Sequence, residues 1–173
     1  IGFVGSLPPS DHPALLAIPD RDYRPVDSDR YPGLTYVDTT VTALGVTSRA
    51  VLTHSANLAA KQSRGLDQTL AKARRRLAEL AARLARGRTR RDRTKVEAEI
   101  AAIGKPRWVA DILTVTLTGE APAELRLSWR TDPRARARLE ARLFGKRILF
   151  TNRDWPVPEV VAAYRSQSDA EFG

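Results

Sequence analysis

The chain of 173 residues has no cysteine, no methionine and only two histidines. Without cysteine there is no disulfide framework, no thiolate metal site and no cysteine nucleophile. No apolar run approaches the ~20 residues of a membrane-spanning helix, and the opening IGFVGSL lacks the basic start and cleavage site of a signal peptide. A Gly-rich phosphate loop and zinc-ligand spacing are also missing. These absences indicate a soluble cytoplasmic chain. IGFVGSL reads as a strand already in progress, and the helix that closes the chain stops without a cap. Both ends therefore read as cuts in a longer sequence.

What is present is positive charge, concentrated in one place. Net charge is +9, and the segment from Lys61 to Arg107 holds 15 Lys and Arg against 5 Asp and Glu. Elsewhere the balance is 14 against 15. The excess is mostly arginine, which suits bidentate phosphate contacts and also matches the codon bias of a GC-rich genome.

The apolar period changes along the chain. Residues 1–33 are dense in Pro and Asp: a strand, then an irregular connection with a single short helical turn near Ala14 to Ile18. LTYVDTTVTALGVTSRAVLTHS, broken at Gly45, reads as two strands joined by a tight turn. Leu66, Leu70, Ala73, Leu77, Leu80 and Leu84 then recur at spacings of four and three, as in a coiled-coil seam. Val96, Ile100 and Ile103 repeat the pattern after the basic link GRTRRDR, which predicts an antiparallel helical hairpin over 64–103. DILTVTLTG and ELRLSWR alternate as strands about the turn GEAP. In DPRARARLEARLFG, Asp132 caps a helix, Pro133 begins it and Gly145 stops it. KRILFTN is an apolar strand of the kind buried inside a sheet, and a last helix runs from Pro158 to the end.

FGKRILFTNRDWPVPEVVAAYRSQSDAE resembles the closing part of the catalytic domain of DDE-type insertion-sequence transposases. In that family an apolar strand ending in Thr-Asn leads to a helix signed Tyr, two residues, Arg, three residues, Glu, six residues, Lys. Tyr164 and Glu171 stand at the right separation; Gln167 takes the arginine's place, Arg165 lies two residues earlier, and the lysine would fall beyond residue 173. GFVGSLPPSDHPALL is similar, more loosely, to the stretch after the second catalytic aspartate.

The resemblance implies an α+β chain: part of an RNase H-like catalytic domain with an inserted β-strand region and a basic antiparallel helical hairpin. Residues 1–33 would belong to the core, 34–130 to the insertion and 131–173 to the core again. It implies Mg²⁺-dependent strand cleavage and strand transfer, with transposon-end and target DNA as partners and a homodimer admitted. Glu171 would be the catalytic, metal-binding carboxylate, supported by Tyr164 and Gln167. The two aspartates would precede residue 1, so the chain alone is expected to be inactive.

The spacing is consistent with that role, because positions 164, 167 and 171 share one helix face. Two-metal transfer uses ions about 4 Å apart held by carboxylate oxygens. Each feature also has a plainer reading. A single Glu on a helix is usually solvated, Tyr164 can be core packing, and an arginine run is ordinarily the wet face of a coiled coil. Arg86, Arg88, Arg90, Arg91 and Arg93 are expected to project from the hairpin tip toward DNA phosphates. His12, His54 and Ser55 do not make a nucleophilic site, since neighbours on a strand face opposite sides. Asp11, Asp20, Asp22, Asp27 and Asp29 sit among prolines, where Asp caps turns. The alternative function is a non-enzymatic nucleic-acid-binding or assembly module built on the arginine-rich hairpin.

Overall fold

The computed structural model describes residues 2–87 and 92–172, the side chains of 169–172 excepted. The chain forms two compact units, Ile1–Gln62 with Glu140–Gly173, and Ser63–Leu139.

The first unit is built on a five-stranded sheet in the order β1, β7, β4, β3, β2, with every neighbouring pair antiparallel. The strands are β1 (Val4–Leu7), β2 (Arg24–Pro25), β3 (Leu34–Ala43), β4 (Val46–Ser55) and β7 (Lys146–Thr151). β3 and β4 pair over ten residues each, joined at Leu44 and Gly45, which both have positive φ. Two consecutive left-handed residues give the turn the twist a two-residue hairpin needs.

Both faces of this sheet are covered. On one, Val51 and Leu149 pack with Tyr31, Leu34 and the helix α6 (Val157–Phe172) through Val157, Val160 and Val161. On the other, Val41, Ala50, Leu52 and Ile148 pack with Leu15, Ile18 and Tyr23 from the Pro/Asp-rich connection, which includes the single turn α1 (Pro13–Leu16). Hence Ala50, Val51, Leu52 and Thr53 are all buried in succession, the pattern of a two-sided strand. β7 is the internal strand that its apolar run predicts. Residues 34–55, placed in the insertion by the sequence reading, share a sheet with β1 and β7.

The helix α2 (Ala56–Ala85) begins in this unit and continues into the second. It starts eight residues before the predicted hairpin, because the Ser55 hydroxyl accepts from Leu58 N at 3.2 Å and caps it. All six seam residues from Leu66 to Leu84 are buried. The helix α3 (Arg93–Ile103) is capped by Asp92, whose carboxylate accepts from Lys95 N at 2.9 Å. It runs antiparallel to α2: Arg83 pairs with Glu99 at 2.5 Å, while Leu77 lines one cavity with Ile100 and Ile103.

The single turn α4 (Val109–Ile112) leads into a separate two-stranded ribbon, β5 (Leu113–Thr118) paired antiparallel with β6 (Arg126–Thr131). The helix α5 (Pro133–Leu143) follows. Its cap is Asp132, which accepts from Arg134 N and Ala135 N. Gly145 (φ 77°) ends the connection to β7, and a Cβ there would lie 2.6 Å from the Ser55 carbonyl oxygen. No helix among the described residues is long and apolar enough to cross a membrane.

Candidate functional site: the strand end, the last helix and the basic hairpin

The Thr-Asn pair closing β7 has a structural task. Thr151 Oγ1 donates to Phe3 O at 2.7 Å and accepts from Arg153 N at 3.0 Å, while Asn152 Oδ1 accepts from Phe3 N at 3.0 Å. Side chains thus continue the β1/β7 ladder past its last backbone pair, Val4 with Thr151. The chain then crosses to α6 through a loop held by Arg49 of β4. Its guanidinium grips Asp38 with two bonds, 3.0 and 2.8 Å, and donates to the carbonyls of Arg153 at 3.0 Å and Trp155 at 2.6 Å. The Asp38 hydrogen bond raises the Arg49 pKa against the opposing effect of burial. Nothing in the local pattern of either strand announces this clamp.

α6 lays Val160 and Val161 on the sheet. One turn later the Tyr164 hydroxyl accepts from Arg147 Nη1 of β7 at 3.0 Å, and the Arg147 guanidinium carbon lies 5.8 Å from the tyrosine ring centroid. Tyr164 also packs against the apolar cluster, so packing and contact coincide in one residue. Gln167 is exposed. The Glu171 backbone belongs to α6, but its side chain lies outside the described residues. Arg165 turns toward Tyr31, 4.6 Å from its ring. Between helix and sheet is an open cavity of about 170 Å³ lined by Thr53, Ser55, Arg147, Tyr164, Arg165 and Ser168 among others. Two guanidinium groups and three aliphatic hydroxyls there are donors suited to an anion.

Among the described residues of the hairpin tip, Arg93 differs from its expected form. Arg86 is exposed, and Arg88, Arg90 and Arg91 lie outside the described residues. Arg93, expected to project with them, is engaged within the protein. Its Nε pairs with Glu97 at 2.9 Å, Nη2 donates to Leu117 O at 3.1 Å and Nη1 donates to Gly119 O. The reason is the Asp92 cap: α3 starts at Arg93, so this side chain springs from the helix and reaches the open edge of β5.

His54 and Ser55 face opposite sides, as strand geometry requires. Ser55 caps α2, while His54 meets Tyr23 edge to face at 6.4 Å. Burial, then Lys146, lowers the His54 pKa. Burial also lowers that of Lys146, whose Nζ donates to Leu16 O at 3.2 Å. Tyr23 is pushed up to about 12 by burial and by Asp20, and its hydroxyl has no partner among the described residues. Of the acidic residues near the N-terminus, Asp27 makes the expected turn, accepting from Asp29 N and Arg30 N at 3.0 Å each. The described residues form no group of three or more His, Cys, Asp or Glu side chains placed to hold a metal.

Compared with known proteins, the chain matches no family model, no curated protein sequence and no solved structure.

Proposed function

We propose that this chain is part of a DDE-type transposase: the portion of an RNase H-like catalytic domain that supplies the third catalytic carboxylate, Glu171, together with a basic DNA-binding insertion. The observation that carries this reading is the seating of α6. The helix bearing Tyr164, Gln167 and Glu171 packs on β7, the strand that ends at Thr151 just before Asn152, and Tyr164 bonds to Arg147 of that strand. A signature helix has to be held against the end of a rigid strand if its carboxylate is to reach a site shared with other strands. The Arg49 clamp and the Thr151 and Asn152 bonds fix the intervening loop, so the helix starts from a defined point.

Mg²⁺ bound by three carboxylates would activate the attacking hydroxyl and stabilise the leaving oxygen. Nothing among the described residues positions such an ion, since the Glu171 side chain lies outside them and no acidic cluster forms. The residues that are placed do other work: Arg147 orients Tyr164, and the valines of α6 exclude water from the helix-sheet contact. The DNA reading rests also on the hairpin, whose exposed face carries Arg75, Arg76, Arg83 and Arg86 away from the buried seam. That feature alone equally fits a DNA-binding or assembly module without catalysis. The genomic sequence around the reading frame separates the two. In-frame upstream aspartates and flanking terminal inverted repeats support the transposase, and a start codon immediately before Ile1 supports the module.

A further inference from the structure

The ribbon β5/β6 has two unlike faces. One is apolar and packed: Leu113 and Val115 line a cavity with Leu77 and Ile100 of the hairpin. The other presents Thr114, Thr116 and Thr118 directly opposite Arg130, Ser128 and Arg126, and all six are exposed. This face holds only hydroxyls and guanidinium groups, the side chains that most often contact nucleic-acid phosphates. Immediately after it, Arg134 and Arg138 are exposed on the first turns of α5.

The carboxylates of this neighbourhood are otherwise placed. Glu120 and Glu124 belong to the turn between the strands, and Glu124 Oε2 accepts from Ala121 N at 3.5 Å. Asp132 spends its carboxylate on capping α5. Bonds from Ala135 N and Arg134 N, then the charges of Arg138 and Arg130, hold its pKa below the ordinary value. Two of the arginines therefore share one partly committed carboxylate. Arg126 is tied at the turn by Nη1 to Ala123 O and Leu125 O. The Arg93 guanidinium covers the β5 edge at Leu117 and Gly119, leaving the broad face as the accessible surface.

We infer that this face, Arg126 and Arg130 of β6 with Arg134 and Arg138 of α5, is a second duplex-DNA backbone-binding surface, distinct from the hairpin tip. It rests on the DNA reading above. A two-stranded ribbon has the width the major groove of B-DNA admits, and a six-residue strand runs about 20 Å. The hydroxyls between the arginines can donate to the same phosphates.

The test is binding of the whole chain to a mixed-sequence duplex by fluorescence anisotropy across a salt series. The ribbon variant is Arg130→Ser with Arg134→Ser and Arg138→Ser, keeping Arg126 for the turn. The slope of log affinity against log salt should flatten by roughly 3, because each lost phosphate contact removes about 0.9. Circular dichroism should be unchanged. If the triple variant loses structure, the single changes Arg130→Ser and Arg138→Ser carry the test, each with an expected loss of about 0.9. A wild-type slope in the ribbon variants, alongside a reduced slope when Arg86, Arg88, Arg90 and Arg91 are neutralised, overturns this surface and leaves the DNA reading standing. A wild-type chain that does not bind duplex DNA overturns both.

Discussion

Tyr164 of the last helix accepts a hydrogen bond from Arg147 of the strand beneath it, 3.0 Å from oxygen to nitrogen, and the same tyrosine packs its ring on the apolar cluster. The two contributions can be separated. Tyr164→Phe keeps the ring and removes the acceptor, so it should cost about 0.5–1.5 kcal/mol, toward the low end because Arg147 is exposed. Tyr164→Ala also removes the packing and should cost distinctly more, on the order of 2–3 kcal/mol for this partly buried ring. Urea denaturation of the two variants measures both. Equal losses would show that Arg147 and the ring are not separate supports.

The seam of α2 gives a sharper contrast. Leu77 is fully buried and Arg75 is exposed on the same helix. Leu77→Ala should destabilise by about 2–5 kcal/mol, whereas Arg75→Ser should stay within about 0.5 kcal/mol. Thermal unfolding followed at 222 nm checks this. A large effect at Arg75 would place a buried contact where the structure shows solvent.

His54 makes stability depend on pH with a definite sign. Its pKa is lowered in the folded state, first by burial and then by Lys146, so the folded protein binds fewer protons than the unfolded chain below the ordinary value of 6.5. This contribution is present above pH 6.5 and is lost as pH falls toward the depressed value. Stability measured from pH 7.5 to 5 should therefore decline more steeply for the native chain than for His54→Leu. Parallel curves would mean that the histidine titrates freely.

The hairpin arginines divide into two kinds. Neutralising Arg86, Arg88, Arg90 and Arg91 should flatten the salt slope of DNA binding by roughly 3 to 4 with little change in helicity. Arg93→Ala should instead lower stability, by about 1–2 kcal/mol, since it removes an ion pair to Glu97 and the cover over the β5 carbonyls. If Arg93→Ala leaves the melting temperature unchanged, these bonds do not tie α3 to the ribbon.

Local patterns were readable where one short stretch determines the outcome. The four-three spacing placed every buried leucine of α2, and Asp132, Pro133 and Gly145 bounded α5 because caps and turns act within a few residues. The Leu44-Gly45 turn and the alternation of β5 and β6 were legible for the same reason. What stayed hidden depends on distant partners. The two-residue β2 exists only through pairing with β3, and the order of the five strands is set by contacts more than ninety residues apart, such as Arg49 opposite Thr151. Ser55 ended a strand pattern and its role as a helix cap was lost in it. At the candidate site, helical spacing grouped 164, 167 and 171, yet neither the Arg147 partner of Tyr164 nor the inward turn of Arg93 has a local signature.

The central claim is that Glu171 is a catalytic carboxylate. The most direct measurement is strand cleavage and strand transfer, with Mg²⁺ and transposon-end DNA, by a protein that joins this chain to the two aspartates the proposal requires, compared with its Glu171→Gln variant. The account predicts that the variant retains DNA binding and a normal melting temperature while losing both reactions, at least a thousandfold in order of magnitude, about 4 kcal/mol of transition-state stabilisation. Cleavage and transfer at the unmodified rate would contradict it and would remove Glu171 from the mechanism.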